Sequence, residues 1–376
     1  MHTIENSNND LQNLLKRVQD ESARSRDFLA PTHDLQKSTS EDGKPVVIME
    51  ASKGVPTQQF DVNDVAFGQI SAHAGIDVRT ARRLQDQVPA EFDSVINALW
   101  RKEPSIRMLR THDHTEGASG TNGKLRAFVS DKFKTFDNVH LLQSTLPQLM
   151  ESEAQWKVVS ASVTERALYL RLRSMIQTGT GAAVGDLMAN GIGLSNSEVG
   201  AGSISVFQIA WTLACLNGMQ TANKTRSSHI TSARDSDDWG LLSDEAKNAD
   251  NRALELKVRD LTTKYASREY FDGVLESMKA AASDVIEGDK TEAVQNLGKV
   301  LQLSKKETSA VLEGLLSTIG QAGYESGKPV TRATLINAVT AAAHAADDDD
   351  VDLWQNRGGQ VLTLKRNEWA RVAMAA

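Results

Sequence analysis

The sequence of 376 residues holds a single cysteine, Cys215, so no internal disulfide can form and a reducing cytosol is the expected compartment. No apolar stretch reaches the roughly 20 residues needed to cross a bilayer. The longest, Val206 to Leu216, is already broken by Gln208 and Thr212. No basic region followed by an apolar one appears near the N-terminus, so no secretory signal is expected. An excess of positive charge is also missing: the formal charge is -7, which excludes a polycation that coats nucleic acid with its whole surface. What is present, 40% hydrophobic and 24% charged residues, is the balance of an ordinary globular chain, long enough for two or three structural units.

Enzyme signatures are missing as well. The loop Gly117 to Gly123 before Lys124 resembles a phosphate cradle, but Ala118 stands where the pattern needs its first glycine and Leu125 where it needs a hydroxyl. Gly179-Thr-Gly181-Ala-Ala-Val-Gly185 misses the dinucleotide fingerprint by one residue. There is no nucleophile elbow, and Cys215 lies in an apolar run where a buried thiol is expected. His112 and His114 would face the same way in an extended segment and could share a metal ion, with Glu116, His140 or His229 as third ligand. Lacking a cysteine pair or a His-Glu-x-x-His pattern, they read better as polar residues beside a loop. No catalytic residue, metal or cofactor is therefore expected.

Residues 1–45 are polar and read as a flexible arm, with one short helical pattern from Leu11 to Val18. Order is expected from Pro45-Val-Val-Ile-Met onward. Helices follow over Val62–Ala72, after a turn at Gly75 up to the residue before Pro89, and over Ala90–Arg101, and then the period changes from helical to alternating. Strands are expected at Ile106–Thr111, Lys124–Ser130, Trp156–Val163, Arg166–Arg173, Gly191–Ser195 and Ser203–Ile209, with a helix from Asp137 to Met150 between the hairpins. Beyond Trp239 the pattern is helical almost to the end, and Asp347 to Asp350 is read as an acidic turn that stops the last long helix. The fold class is thus α+β: a central, mainly antiparallel sheet with helices on one side, followed by a mostly helical C-terminal half. The boundaries are a 1–45 arm, a 46–223 core domain with a basic sheet, and a 224–376 helical region.

Two strands carry the functional reading. Alternation puts Lys124, Arg126 and Phe128 on one face and Leu125, Ala127 and Val129 on the other. The second strand repeats this, with Tyr169, Arg171 and Arg173 opposite Leu168, Leu170 and Leu172. Cations that follow phosphates and rings that stack on any base suit single-stranded nucleic acid. A half-exposed sheet of any function also turns Lys and Arg outward, and that alternative stays open. Charge is polarised in the same sense: Arg101 to Lys134 carries eight Lys or Arg against four Asp or Glu, whereas Lys224 to the end carries 20 against 24. Screening over about 8–10 Å hides the distant acids from a ligand on the basic part. Arg79, Arg82 and Arg83 would extend that basic side if their helix lies beside the sheet.

The segment Gly191-Ile-Gly-Leu-Ser-Asn-Ser-Glu-Val-Gly200, followed by Ser203-Ile-Ser-Val and Cys215-Leu-Asn-Gly-Met219, resembles the hallmark of a phage/plasmid-like protein family, domain of unknown function 932. Lys124-Leu-Arg-Ala-Phe-Val-Ser-Asp-Lys-Phe with Asp137-Asn138, the Gly75 to Pro89 stretch, and Asn337-Ala-Val-Thr340 are also similar, so the resemblance spans roughly Val62 to Ala370. Phe133 stands where a tyrosine is expected, and the run Asp347 to Asp350 is peculiar to this chain. The resemblance implies a protein of a mobile element in the bacterial cytosol. Within the hallmark, Glu198 is read as accepting backbone amides in a turn, with a catalytic or metal carboxylate as the rival.

Three functions follow as expectations. The first is a non-enzymatic homo-oligomer that binds single-stranded DNA and promotes annealing or recombination. The second is a structural or host-interaction protein acting through its helical C-terminal half. The third is a metal-dependent nuclease using His112, His114 and Glu198.

Overall fold

The computed structural model describes residues 7–51, 54–114, 121–181, 187–213, 217–221, 225–227, 243–320 and 329–374. A helix, α1 (Ser7–Arg24), runs directly into β1 (Ser25–Pro31), and β2 (Leu35–Thr39), β3 (Pro45–Met49) and β4 (Gln58–Val62) follow. Next come α2 (Asp64–His73), α3 (Val78–Gln87) and α4 (Pro89–Lys102), then β5 (Ile106–Asp113) and β6 (Gly123–Ser130). The helix starts have local causes. Asn63 Oδ1 accepts the Ala66 amide at 2.8 Å, Asp77 accepts that of Thr80 at 3.0 Å, and Pro89 opens α4 where its missing N–H costs nothing. The six strands form one sheet in the order β1-β5-β6-β4-β3-β2, antiparallel except where β4 meets β6. Phe60, Leu109, Leu125 and Phe128 from that sheet bury themselves against Phe92, Ile96 and Trp100 of α4.

A second sheet follows α5 (Asn138–Glu151). It is an antiparallel meander of β7 (Trp156–Val163), β8 (Leu168–Thr180), β9 (Leu187–Asn196), β10 (Ile204–Thr212) and β11 (Asn217–Gln220), with β12 (Thr225–Ser227) paired to β10. Helices α6 (Asp244–Tyr265), α7 (Arg268–Ser283), α8 (Lys290–Val300), α9 (Lys305–Gly320), α10 (Arg332–Ala341), α11 (Asp348–Leu362) and α12 (Arg366–Ala373) complete the chain. At the start of α9, Ser304 and Glu307 form a reciprocal cap, with bonds of 2.7 and 3.3 Å. One face of the meander, Leu168, Leu170, Leu172, Ile192 and Leu194, packs on α1, α5 and α6. The opposite face of β8 meets α11 through Arg171 and Asp352.

The α+β class with a helical C-terminal half therefore holds, and three details differ. The strands divide between two sheets rather than joining in one central sheet, and helices lie on both faces of the second. The expected arm is structured: Leu14 and Val18, one turn apart, are only 4% and 3% exposed, and β1 pairs with β5 over seven residues from Ser25↔His112 to Pro31↔Ile106. In Ser-Arg-Asp-Phe-Leu-Ala-Pro only Phe28 and Ala30 turn to the core while Leu29 is exposed, so the alternation is too short to read and the ladder to β5 carries the rest of β1. Finally, the acidic run begins a helix: Asp347 occupies the cap position of α11, an end where negative charge is favoured.

Candidate functional site

The six residues expected on one basic face do not share one. Lys124, Arg126 and Phe128 belong to the first sheet, and Tyr169, Arg171 and Arg173 to the second. A β-bulge breaks the alternation of β6: Arg110 pairs with Ala127 and Thr111 with Leu125, which leaves Arg126 as the extra residue. Phe128 is thereby turned into the core with Leu125, fully buried, with its ring stacked 5.6 Å from Trp100. It has no face to offer a base. On β8 the alternation survives, but α11 covers it. Arg171 is 2% exposed and bonded to Asp352 at 2.7 Å, and its guanidinium lies 5.3 Å from the Tyr169 ring. The Tyr169 hydroxyl is held protonated by burial and by Asp349. Arg173, two residues on, is half-buried and makes no ion pair among the described residues.

Lys124 and Arg126 do come together, in a polar cleft of about 310 Å³ where the two sheets meet. Its walls are α1 (Arg17, Glu21, Arg24), the paired ends of β5 and β6 (His112, Lys124, Arg126), the β7–β8 turn (Glu165, Arg166) and the β9–β10 turn (Glu198, Val199). Glu198 lies at its floor. One carboxylate oxygen accepts Arg126 Nη1 at 2.5 Å, the other accepts the Asn138 amide at the start of α5 at 2.6 Å, and its main-chain carbonyl accepts Arg110 Nη1 at 2.8 Å. Arg110, itself 1% exposed, also bonds Asp27 and Asp137 at 3.0 and 2.6 Å. A buried charge network thus joins both sheets and α5.

The upper walls are freer. Lys124 reaches Glu165 at 2.5 Å, but both side chains are about half exposed, so the pair is weak and Lys124 can be drawn to another anion. Arg166 lies 3.8 Å from Asp349, again at an exposed site. Arg24 donates to the main-chain carbonyls of Asp113 at 3.1 Å and Asp20 at 3.3 Å, and pairs with no carboxylate among the described residues. Beneath it, His112 Nε2 and Arg126 Nε are buried without a hydrogen-bond partner. Burial, then the cations Arg126, Arg24 and Arg110, push the His112 imidazole down to about 3, so it is neutral at any physiological pH. The two imidazoles do not form a metal site: His114 Nε2 is engaged by Thr121 Oγ1 at 2.9 Å, and no group of three ligating side chains suited to a metal occurs among the described residues. Glu116 and His229 lie outside them, as do Cys215 and most of the Gly117 to Gly123 loop.

The turn that carries Glu198 connects this geometry to relatives. A family model, Domain of unknown function (DUF932), matches residues 126–347, more than half the chain. The chain belongs to the DUF932 family. No curated protein and no solved structure matches it. The match begins at Arg126 and includes its partner Glu198, and the Gly191–Gly200 segment within it has a physical account here. Gly193 permits the Phe207 ring to press on the backbone, since a Cβ would sit 2.0 Å from it. Asn196 Nδ2 ties the strand end to Phe136 O at 2.8 Å and Asn138 Oδ1 at 2.9 Å, and Ser197 Oγ donates to Arg166 O at 2.6 Å. Val199 O accepts Gln69 Nε2 from α2 at 2.7 Å, and Gly200, with φ +75°, turns the chain back. In this DUF932 chain the Gly191–Gly200 segment is the clasp between the sheets and the floor of the cleft.

Sequence reasoning missed Arg24 and Arg166 as members of the site. Nothing local marks them: Arg24 gains its position only because β1 pairs with β5, and Arg166 only because the Ser197 turn holds its carbonyl. The adjacent signal that was legible is Glu198 in a polar turn, which accepts a backbone amide as expected, although from α5 rather than from its own turn.

Proposed function

We propose that the protein binds single-stranded nucleic acid without cutting it, holding phosphates in the cleft between the sheets. The observation that carries this reading is Arg24, a cation at the cleft with no carboxylate partner, above two buried and unpartnered donors or acceptors, His112 Nε2 and Arg126 Nε. An oxyanion placed there would answer all three groups, while Lys124 and Arg166 exchange weak surface pairs for the flanking phosphates. Phe128 and Tyr169 take no part, so base identity is not read by stacking at this cleft. Several copies along one strand would multiply such contacts, which suits a homo-oligomer that promotes annealing. The chain's resemblance to a phage/plasmid-like family agrees with work on the nucleic acid of a mobile element.

The test is fluorescence anisotropy with an unstructured oligothymidylate at a series of salt concentrations. Each phosphate neutralised adds about 0.7 to the slope of log affinity against log salt on a single strand. The variant Arg24→Gln/Lys124→Gln/Arg166→Gln leaves the buried pairs intact, folds like the parent, and lowers that slope by about 2. Unchanged binding by this triple variant refutes the cleft as the site. No binding by the parent at low salt refutes the reading altogether and turns attention to the helical half as a protein-docking surface.

A further inference from the structure

A second site lies toward the other end of the meander's strands, away from the cleft. Three strands, β8, β9 and β10, contribute a line of polar side chains to one face. Gln177 Nε2 donates to Ala266 O at 3.1 Å; Asn190 Nδ2 donates to Gln177 Oε1 at 2.7 Å and to Tyr265 O at 3.2 Å; Gln208 Nε2 donates to Asn190 Oδ1 at 2.9 Å. Every amide in this line points its donor the same way, so the line ends on an acceptor, Gln208 Oε1, which has no partner. The next strand continues it. The Thr221 amide bonds Gln208 O at 3.0 Å, which puts Thr221 beside Gln208 on the same face, and Thr221 Oγ1 is also buried without a partner. Asn190 and Gln208 are fully buried and Thr221 is 4% exposed. Unanswered polar groups at that depth destabilise the empty fold.

Thr221 lines a pocket of about 440 Å³, within the usual range for small-ligand sites. Val274, Leu362, Gly273 and Tyr270 supply its less polar walls, and Lys264 and Glu269 stand exposed at its mouth. The first turn of α7 borders it as well, with the Ser267 hydroxyl capping the Tyr270 amide. Lys264 and the amide end of a 16-residue helix together favour a phosphate at the mouth. Deeper in, the unanswered Thr221 hydroxyl suits the polar edge of a planar heterocycle lying along the aliphatic wall of Val274 and Leu362.

We propose that this pocket binds a nucleotide, its base edge on Thr221 Oγ1 and its phosphate by Lys264. Gly273 provides the probe. A Cβ built there meets nothing within 4 Å, so a larger side chain enters open pocket space rather than the core. Calorimetric titration of the full chain with each of the four nucleoside 5′-monophosphates is expected to show saturable binding of at least one. Thr221→Val is expected to weaken it tenfold or more while raising the thermal midpoint, because a methyl replaces an unanswered hydroxyl. Gly273→Leu abolishes binding in a folded protein, and Gly273→Ala confirms the fold with an equal or higher midpoint. A 5′-phosphorylated trinucleotide tells the sources apart: tighter binding than the mononucleotide assigns the site to a strand end, and equal or weaker binding to a free nucleotide. No saturable binding of any monophosphate, or binding that survives Gly273→Leu, overturns the proposal. Neither result touches the oligothymidylate test of the cleft.

Discussion

Glu198 is the residue on which the junction of the sheets turns. It answers a buried guanidinium and a helix-terminal amide at once, so removing it strands both. Glu198→Ala is expected to cost about 3–5 kcal/mol in urea unfolding, the usual penalty for leaving a buried partner charged and alone. Glu198→Gln keeps an acceptor for the Asn138 amide and costs less. The double variant Arg126→Met/Glu198→Gln removes the orphaned charge as well and recovers most of the loss. If the double variant is as unstable as Glu198→Ala, the pair is not what holds the junction. His112 gives a second, independent readout. Its folded pKa of about 3 lies below the ordinary value of 6.5, so unfolding takes up a proton between those limits. The contribution is complete above pH 6.5 and is lost as pH falls toward 3, with a slope of at most about 1 kcal/mol per unit after allowance for its partial exposure. His112→Gln therefore flattens the acid limb of a plot of unfolding midpoint against pH. An unchanged limb would show that the imidazole titrates normally.

At the scale of elements, much was legible. β7 has the bounds its alternation predicts, Trp156–Val163, and α2, α4 and α5 lie within a residue or two of their periodic patterns. These elements bury one face against one neighbour, which is the case that simple periodicity describes. What escaped depended on partners distant in sequence. β1 is held by its ladder to β5, and no local pattern announces a strand whose exposed residues include Arg26 and Leu29. The bulge at Arg126 is invisible for a related reason: it exists because β5 and β6 differ by one residue in the stretch between Thr111 and Arg110, and it inverts the phase of everything after it. The candidate site was therefore legible in its chemistry, a basic strand end at Lys124 and Arg126, and not in its geometry. Tyr169 and Arg171 show the converse limit. Their alternation is as expected, but the face they share is capped by Asp349 and Asp352, some 180 residues later. A polar strand face says only that something polar lies opposite, and here the partner is the chain's own helix.

For the whole molecule, the same contacts decide whether residues 1–223 can stand alone. The apolar core of the C-terminal helices is not closed on itself, because Met188, Ala210 and Met219 of the meander are part of it together with Phe271, Leu335 and Val361. The second core likewise borrows Leu254, Val258 and Tyr265 of α6 to cover Leu170 and Ile192. A cut after residue 223 would expose both faces of the meander's far strands, leave Arg171 without Asp352, and free the β11 edge that α10 and α11 cover. An edge strand laid bare beside greasy surface is an invitation to pair with another copy. The fragment 1–223 is expected to be aggregated or loosely packed, with little near-ultraviolet circular dichroism. The full chain is expected to unfold in one calorimetric transition whose van't Hoff and calorimetric enthalpies agree. A monomeric fragment with a well-dispersed amide spectrum, or two separated transitions in the full chain, would instead make the helical half an appendage. In that case the cleft and the nucleotide pocket could not be coupled through a shared core. With a common core, a ligand that fills the pocket beside Thr221 stabilises the meander as a whole, and with it the turn that holds Glu198 at the cleft floor.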